Sequence, residues 1–552
     1  MYHAELSDIV VGGELKKRQH LSFKRMQEEQ YQPKNFFKDI TYDWPGDHEG
    51  RVLLALVMTA QATHREPEYL ERIMEEFPDR LNCEGFLGKL FCKDCIDEQQ
   101  ISGHSWLLRG LVELYRWKKS EQALQMIKDI VNNLFLKTKG FYQNYPIEKN
   151  DRQNGGAAAG NLTGQVKNGW ALSTDVGCAF IALDGVTAAY ELLKVPDLKE
   201  LIQEMIERFR QMDFNGLYMQ THATLTAQRG ILRYYSIIKD ENLLKYVQKA
   251  FREYTQTAIT AHFANHNWFG RPEWTEPCAI IDSFIVAVQL WEYTKVPDYL
   301  ELAHKIYFNA MGHAQRPNGG FGCDNCPGAN GLFLYPMKDI YEAFWCCTMR
   351  GADRISLAAN YIYWIEKNTL YTAFYHDSTV TLRFHDGTVT LKQKTDYPIS
   401  GKVRFEVLDT NCVEPKTVKL FLPACEQRND VVLMIGEQKT PVLFESGFVI
   451  FETYFRKGDI MEFSFPLGLY KTVFRDEFCM QEYEQIFHGP LLLGISGEEE
   501  IGSPEMTDLE HTVDACYRLA DSEKTLEPIN KITFLPAEDA LQSKLQVLFL
   551  RG

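Results

Sequence analysis

Three short segments of this chain carry residues able to bind a soft metal or to attack carbon: Glu276-Pro277-Cys278, Cys323-Asp324-Asn325-Cys326 and Cys346-Cys347. Thiolates joined by one carboxylate suit a tetrahedral zinc ion. The competing reading makes each cysteine a small buried apolar group, the usual fate of a free thiol. For Cys92-Lys93-Asp94-Cys95 that reading is preferred. Adjacent cysteines rarely bond to each other, so Cys346 and Cys347 each need another partner. The chain of 552 residues holds 13 cysteines, an odd number. Its start, Met1-Tyr2-His3-Ala4-Glu5-Leu6, lacks the basic and then apolar run of a secretion signal, so the cysteines read as thiols or ligands in a cytoplasmic protein. Asn161-Leu162-Thr163 then matches a glycosylation acceptor by chance. Trp268, Trp274, Tyr341 and Trp345 lie near these segments, and their rings suit the C–H faces of a sugar as well as an ordinary core.

The elements that must position these residues change character once. From about 48 to 364 the apolar residues recur at helical spacing, as in Arg51-Val-Leu-Leu-Ala-Leu-Val-Met58. A hairpin turn repeats in Arg65-Glu66-Pro67, Lys194-Val195-Pro196-Asp197, Lys239-Asp240-Glu241 and Lys295-Val296-Pro297-Asp298, with Lys118-Lys119-Ser120-Glu121 as a weaker copy. Each sets a cation at one helix end and Pro or an acid at the next helix start, which favours both dipoles. Five or six such hairpins predict about twelve helices, an (α/α)6 barrel. Near 366 the period becomes 2, and Asp386-Gly387 between alternating runs marks a hairpin. Short strands follow, separated by Gly, Pro and Asp. The expected architecture is multidomain, α and β: a catalytic barrel over 1–365, whose N-terminal segment is free to pack on the second part, and a C-terminal β-sandwich over 366–552. The stretch 497–530 reads as irregular, with final strands at Lys531–Leu535 and Leu545–Leu550.

Composition narrows the function. Lys and Arg number 59 against 75 Asp and Glu, a net charge of −16 without a basic block, so neither nucleic acid nor a membrane is expected as partner. No apolar run reaches the length of a membrane span. The aromatic residues near the cysteine segments suit a small carbohydrate as partner, and a homodimer is compatible with the same residues.

Several of these segments carry a resemblance. Thr275-Glu276-Pro277-Cys278-Ala279, Pro297-Asp298-Tyr299-Leu300, Tyr307-Phe308-Asn309-Ala310 and Trp345-Cys346-Cys347 resemble the run found in the β-L-arabinofuranosidases of glycoside hydrolase family 127 and its relatives. Lys457-Gly458-Asp459 and His488-Gly489-Pro490-Leu491-Leu492 extend the likeness into the β half. The resemblance implies that Glu276, Cys278, Cys346 and Cys347 hold Zn2+ and that Cys346 is the nucleophile of a retaining, exo-acting glycosidase. It implies sugar contacts at His104 and His222. Asp175 stands where the family has a further histidine and joins Trp274 and Trp345 as a substrate contact. The loop that carries the family's acid/base glutamate is short here, so Glu273 is the candidate by elimination, with Asp175 and Glu342 in reserve. Two other readings stay open: a sugar epimerase or lyase built on the barrel alone, and a non-catalytic sugar-binding protein with a structural zinc.

Overall fold

The computed structural model describes residues 1–38, 43–152, 165–423, 428–520 and 522–551; the Asn161-Leu162-Thr163 match lies outside them. Six helices whose residues are buried on nearly every side form the centre of the helical half: α1 (Asp47–Thr63), α2 (Glu98–Lys118), α3 (Ala182–Leu193), α4 (Thr221–Ile238), α5 (Pro277–Thr294) and α6 (Cys347–Leu357). Each packs on the next, and α6 returns to α1. The helices Glu121–Ile130, Pro196–Phe209, Glu241–Thr257 and Pro297–Lys305 back α2 to α5 from outside. These outer helices bury one stripe only. In Pro196–Phe209 it is Leu198, Leu201, Ile202, Met205, Ile206 and Phe209, the spacing that keeps one helical face inward.

The hairpin turns share one device. Lys119, Lys194, Lys239 and Lys295 end α2 to α5 in the left-handed region, at φ 54°, 56°, 57° and 59°. Each cap N–H bonds to the carbonyl four residues back, on Tyr115, Tyr190, Tyr235 and Trp291. Each ammonium lies over that same aromatic ring, 5.3 to 5.7 Å from its centroid. A left-handed lysine costs roughly 1–2 kcal/mol. A cation–π contact returns about 0.5–1 kcal/mol and the satisfied carbonyl a similar amount, so lysine stands where glycine is the usual choice. The Lys118-Lys119 turn is thus a full copy of the others.

One further helix, Gly13–Arg25, precedes the expected start at 48 and packs between α1 and α6. Its buried face includes Arg18, Gln19 and Ser22, so its apolar period is faint. Arg18 Nη1 donates to Gly312 O (3.2 Å), Gln315 Oε1 (3.1 Å) and Thr533 Oγ1 (3.0 Å).

The unbroken succession of strands begins at Tyr363, three residues before the expected change of period, and among the described residues the helical half holds only two- and three-residue strands. A six-stranded and a seven-stranded sheet, mostly antiparallel, share one apolar core that includes Leu370, Val418 and Phe451 from one and Val380, Leu391 and Phe405 from the other. Both are completed from far upstream. Tyr2–His3 pairs with Tyr363–Glu366 at one edge, and Ile9–Val11 pairs with Ser378–Phe384 at another. A third sheet is built mainly from 469–550 and takes in Phe333–Leu334 from the helical half. Within it, 497–530 is not wholly irregular, since it supplies strands Leu509–His511, Tyr517–Leu519 and Thr525–Pro528. The expected strand at 531–535 is instead part of a 3-10 turn, Ile529–Phe534, because Thr533 turns inward to donate to Gln315 O. Asn309 joins two segments of the family-like pattern: its amide donates to Pro490 O (2.9 Å) and accepts from Leu492 N (2.7 Å). Among the described residues no helix is long and apolar enough to cross a membrane.

Candidate active site and metal centre

Pro277 at the first position of α5 fixes the turn that sets Glu276 at the N-cap and Cys278 in the first turn, while Cys346 and Cys347 occupy the N-cap and first position of α6. Because α5 and α6 are neighbours, the three sulfurs meet. Cys278 and Cys347 Sγ are 3.6 Å apart, and Cys346 and Cys347 Sγ 3.4 Å. Sulfurs bound to one tetrahedral zinc at about 2.3 Å stand roughly 3.7 Å apart, so the spacing fits such an ion. Cys278 is fully buried, Cys347 nearly so, and Cys346 keeps some exposure. Burial pushes the Cys278 thiol well above its usual range, and hydrogen bonding to Cys346 adds to this. Such thiols are inert unless a cation takes the proton's place.

A second group overlaps the first. His222 on α4, Glu276 and Cys278 offer ligand atoms all within 4.8 Å of one another. The His222 ring stacks on Trp106, with centroids 5.6 Å apart and planes 7° from parallel. Its Nδ1 is 3.0 Å from Asp282 Oδ2. Asp282 also accepts from Thr226 (2.6 Å), Arg229 (2.5 Å) and Arg350 (2.7 Å), and these partners hold it ionised. Nε2 is buried without a hydrogen-bond partner. The thiolate, carboxylate and imidazole donors present therefore fit a zinc ion.

Around these donors stand groups that sequence reading did not single out. Arg51 Nη1 lies 3.5 Å from Cys278 Sγ, with Nε held by both Asp47 oxygens at 3.0 and 2.9 Å. The Arg51 and Arg350 guanidinium groups lie 4.6 and 4.3 Å from the Trp106 ring. Gln220 Nε2 donates to Glu276 Oε2 at 3.4 Å. Cys323, left without a role by sequence, is buried, and its thiol helps to raise that of Cys347. Its loop is stapled beside Glu276, because Thr275 N donates to Asp324 O and Asp324 N to Thr275 Oγ1, both at 2.8 Å. Cys326 is fully buried.

The other candidates divide. His104 is buried within α2, where Nδ1 donates to Gln100 O (2.8 Å) and Nε2 accepts from Leu87 N (3.1 Å). It has no ring nitrogen left for a sugar, and the expected substrate contact is corrected to a structural one. Glu273 is half-exposed and paired with Arg271 at 2.7 and 3.0 Å. Glu342 is tied to Arg25 (2.8 and 3.1 Å), Asn318 (2.7 Å) and Thr348 (3.0 Å). Asp175 lies among the site's charges. Burial pushes its carboxyl up to about 6, with Arg51 opposing and Asp47 and Glu98 adding to the rise. It in turn helps raise Glu276. Trp274 is partly exposed and meets Trp268 edge to face at 5.3 Å. Trp345, beside Cys346, is 42% exposed and meets Phe344 edge to face at 5.1 Å.

Comparison with known proteins bears on the same arrangement. Residues 369–467 match the family model described as the β-L-arabinofuranosidase GH127 middle domain. No curated protein sequence matches the chain. A solved GH127 β-arabinofuranosidase superposes with a TM-score of 0.72 at 14% identity, covering 100% of this chain and 98% of that one. A GH127 β-L-arabinofuranosidase from Geobacillus stearothermophilus T6 gives 0.69 at 13% identity, covering 99% and 100%. A structure titled as a glycoside hydrolase gives 0.71 at 14%, covering 99% and 97%. At such identities the likeness shows the fold alone, and within that fold residues 369–467 are similar to the GH127 middle domain.

Proposed function

We propose that this protein is an exo-acting, retaining glycosidase of the β-L-arabinofuranosidase kind, acting on small glycosides or oligosaccharides through a zinc-bound cysteine. Its helical half is read as an (α/α)6 barrel and its two paired sheets as a β-sandwich. The observation that carries the function is the convergence of Cys278, Cys346 and Cys347 where α5 and α6 begin, with Glu276 grouped on Cys278. These residues would hold Zn2+, whose chemistry here is to keep sulfur as thiolate near neutral pH.

Cys346 is the nucleophile because it is the most exposed sulfur of the three. Its Sγ attacks the anomeric carbon as the bond to the leaving oxygen breaks, forming a thioglycoside. Asp175 supplies the proton to that oxygen and then takes one from the water that displaces sulfur, which regenerates the thiolate with retained configuration. Asp175 is preferred to Glu273 because burial raises its pKa to about 6 and so lets it hold its proton to higher pH than an ordinary carboxyl, whereas Glu273 is engaged by Arg271. Trp345 offers an exposed ring beside the sulfur for the face of the sugar.

Purified protein should contain one zinc per chain and release aryl leaving groups from β-L-arabinofuranosides or a close furanoside in a panel of furanosides and pyranosides. Hydrolysis that survives complete removal of metal would sink the thiolate mechanism. Stoichiometric zinc with no turnover across the panel would leave a structural ion.

A further inference from the structure

The site offers more donors than a four-coordinate ion can use at once. Cys278 belongs to both groups of potential ligands, with Cys346 and Cys347 on one side of it and His222 and Glu276 on the other. A carboxylate only accepts, so His222 carries its hydrogen on Nδ1, facing Asp282, which leaves Nε2 as the nitrogen with a lone pair to offer in the group it forms with Glu276 and Cys278. Asp282 is held by Thr226, Arg229 and Arg350, and the ring lies flat on Trp106, so the imidazole has little freedom to turn away. A buried nitrogen with no partner has a desolvation cost, and a fixed orientation toward metal donors is what would justify it.

We propose that His222 is a reserve metal ligand that takes the coordination position of Cys346 while that sulfur is bonded to the sugar. The inference rests on the proposed zinc-thiolate reading. A thiolate that gives its electron pair to the anomeric carbon becomes a thioether, a much poorer donor to zinc. The Nε2 lone pair of His222 then completes four protein donors with Glu276, Cys278 and Cys347. No electron is gained or lost: the sulfur pair forms the S–C bond, the C–O pair leaves with the oxygen, and the nitrogen pair goes to the ion. When water breaks the S–C bond, the restored thiolate displaces the imidazole. Such a device keeps the ion in place through the covalent stage.

The test uses the zinc-loaded full chain and X-ray absorption at the zinc edge, which distinguishes imidazole nitrogen from sulfur. Wild type should show three sulfurs without imidazole, whereas Cys346→Ser should show two sulfurs and one imidazole. His222→Phe keeps a ring on Trp106 without the nitrogen. In the Cys346→Ser background it should weaken zinc binding roughly 10- to 100-fold, as loss of a supporting residue does, while in wild type the change should stay within a few-fold. His222→Ala serves as the second variant, with folding followed by circular dichroism. An imidazole signal already present in wild type, or absent from Cys346→Ser, overturns the inference but leaves the zinc site standing. Wild-type protein without stoichiometric zinc overturns both.

Discussion

Each side chain at the mouth of α5 and α6 has its role from what it touches. Cys346 differs from Cys347 by one position, yet Cys347 is enclosed by three other thiols while Cys346 keeps an open side. Cys346→Ser should therefore lower kcat/KM by roughly 10^4-fold or more, the scale of nucleophile loss, with the melting temperature close to wild type. Cys347→Ser should lower zinc content and melting temperature together, since metal binding and folding are coupled. Comparing the two by metal analysis and calorimetry checks the division of labour. Asp175 makes a separate statement. Its pKa is raised to about 6, so the proton needed by the leaving group is present below that pH and lost above it. The kcat/KM profile should fall on the alkaline side with an apparent pKa near 6, and Asp175→Asn should erase that limb. The same variant should slow poor leaving groups roughly 10^2- to 10^4-fold, the reach of a general acid, and activated aryl glycosides far less. A profile unchanged in Asp175→Asn would return the role to Glu273.

At the scale of elements, the inner helices are locked by charges that water does not reach. Asp184 on α3 is paired with Arg229 (3.1 Å) and Arg233 of α4 and Arg109 of α2 (3.3 Å), and these guanidinium groups outweigh the burial that would raise its pKa. Asp184→Asn leaves three arginines short of a partner and should cost about 3–5 kcal/mol in denaturant unfolding. Asp184 titrates far below its unfolded value of about 4, so its stabilisation is complete above that pH and disappears as pH falls. The variant's acid-unfolding curve should accordingly be shallower than wild type's below pH 4. Such ties explain what was legible in the sequence. The Lys194 and Lys295 turns, and the Glu276-Pro277-Cys278 start, are written in adjacent residues and can be read without the fold. Gly13–Arg25 is not, since the partners that let Arg18 be buried lie around 312 and 533. Arg51 and Asp282 escape notice for the same reason: Cys278 for the one, and His222 and Arg350 for the other, lie far off in sequence. Nearness in sequence points to Glu273 as the acid and cannot show that Arg271 engages it.

For the whole molecule, Tyr2–His3 and Ile9–Val11 seal an edge of each paired sheet. Removing residues 1–12 should expose the 363–366 and 378–384 strands, lower the melting temperature and cause concentration-dependent association in light scattering, since bare edges recruit other strands. A truncated protein that stays monodisperse with unaltered melting would show that the edges are protected some other way. The same seams have a temporal side. Tyr2 must wait for Ile365, and at roughly 5–20 residues per second a ribosome needs on the order of 20–70 s to deliver it. For that interval the strand at 9–11 also lacks Val380, while the six inner helices emerge and assemble between the two. The segment synthesised earliest thus docks late, and a nascent chain of this protein carries two unmatched strands ahead of a largely formed helical body. Slowing translation after residue 360 would lengthen that exposure, so crowding by chaperones should matter most for the yield of this fold at that stage.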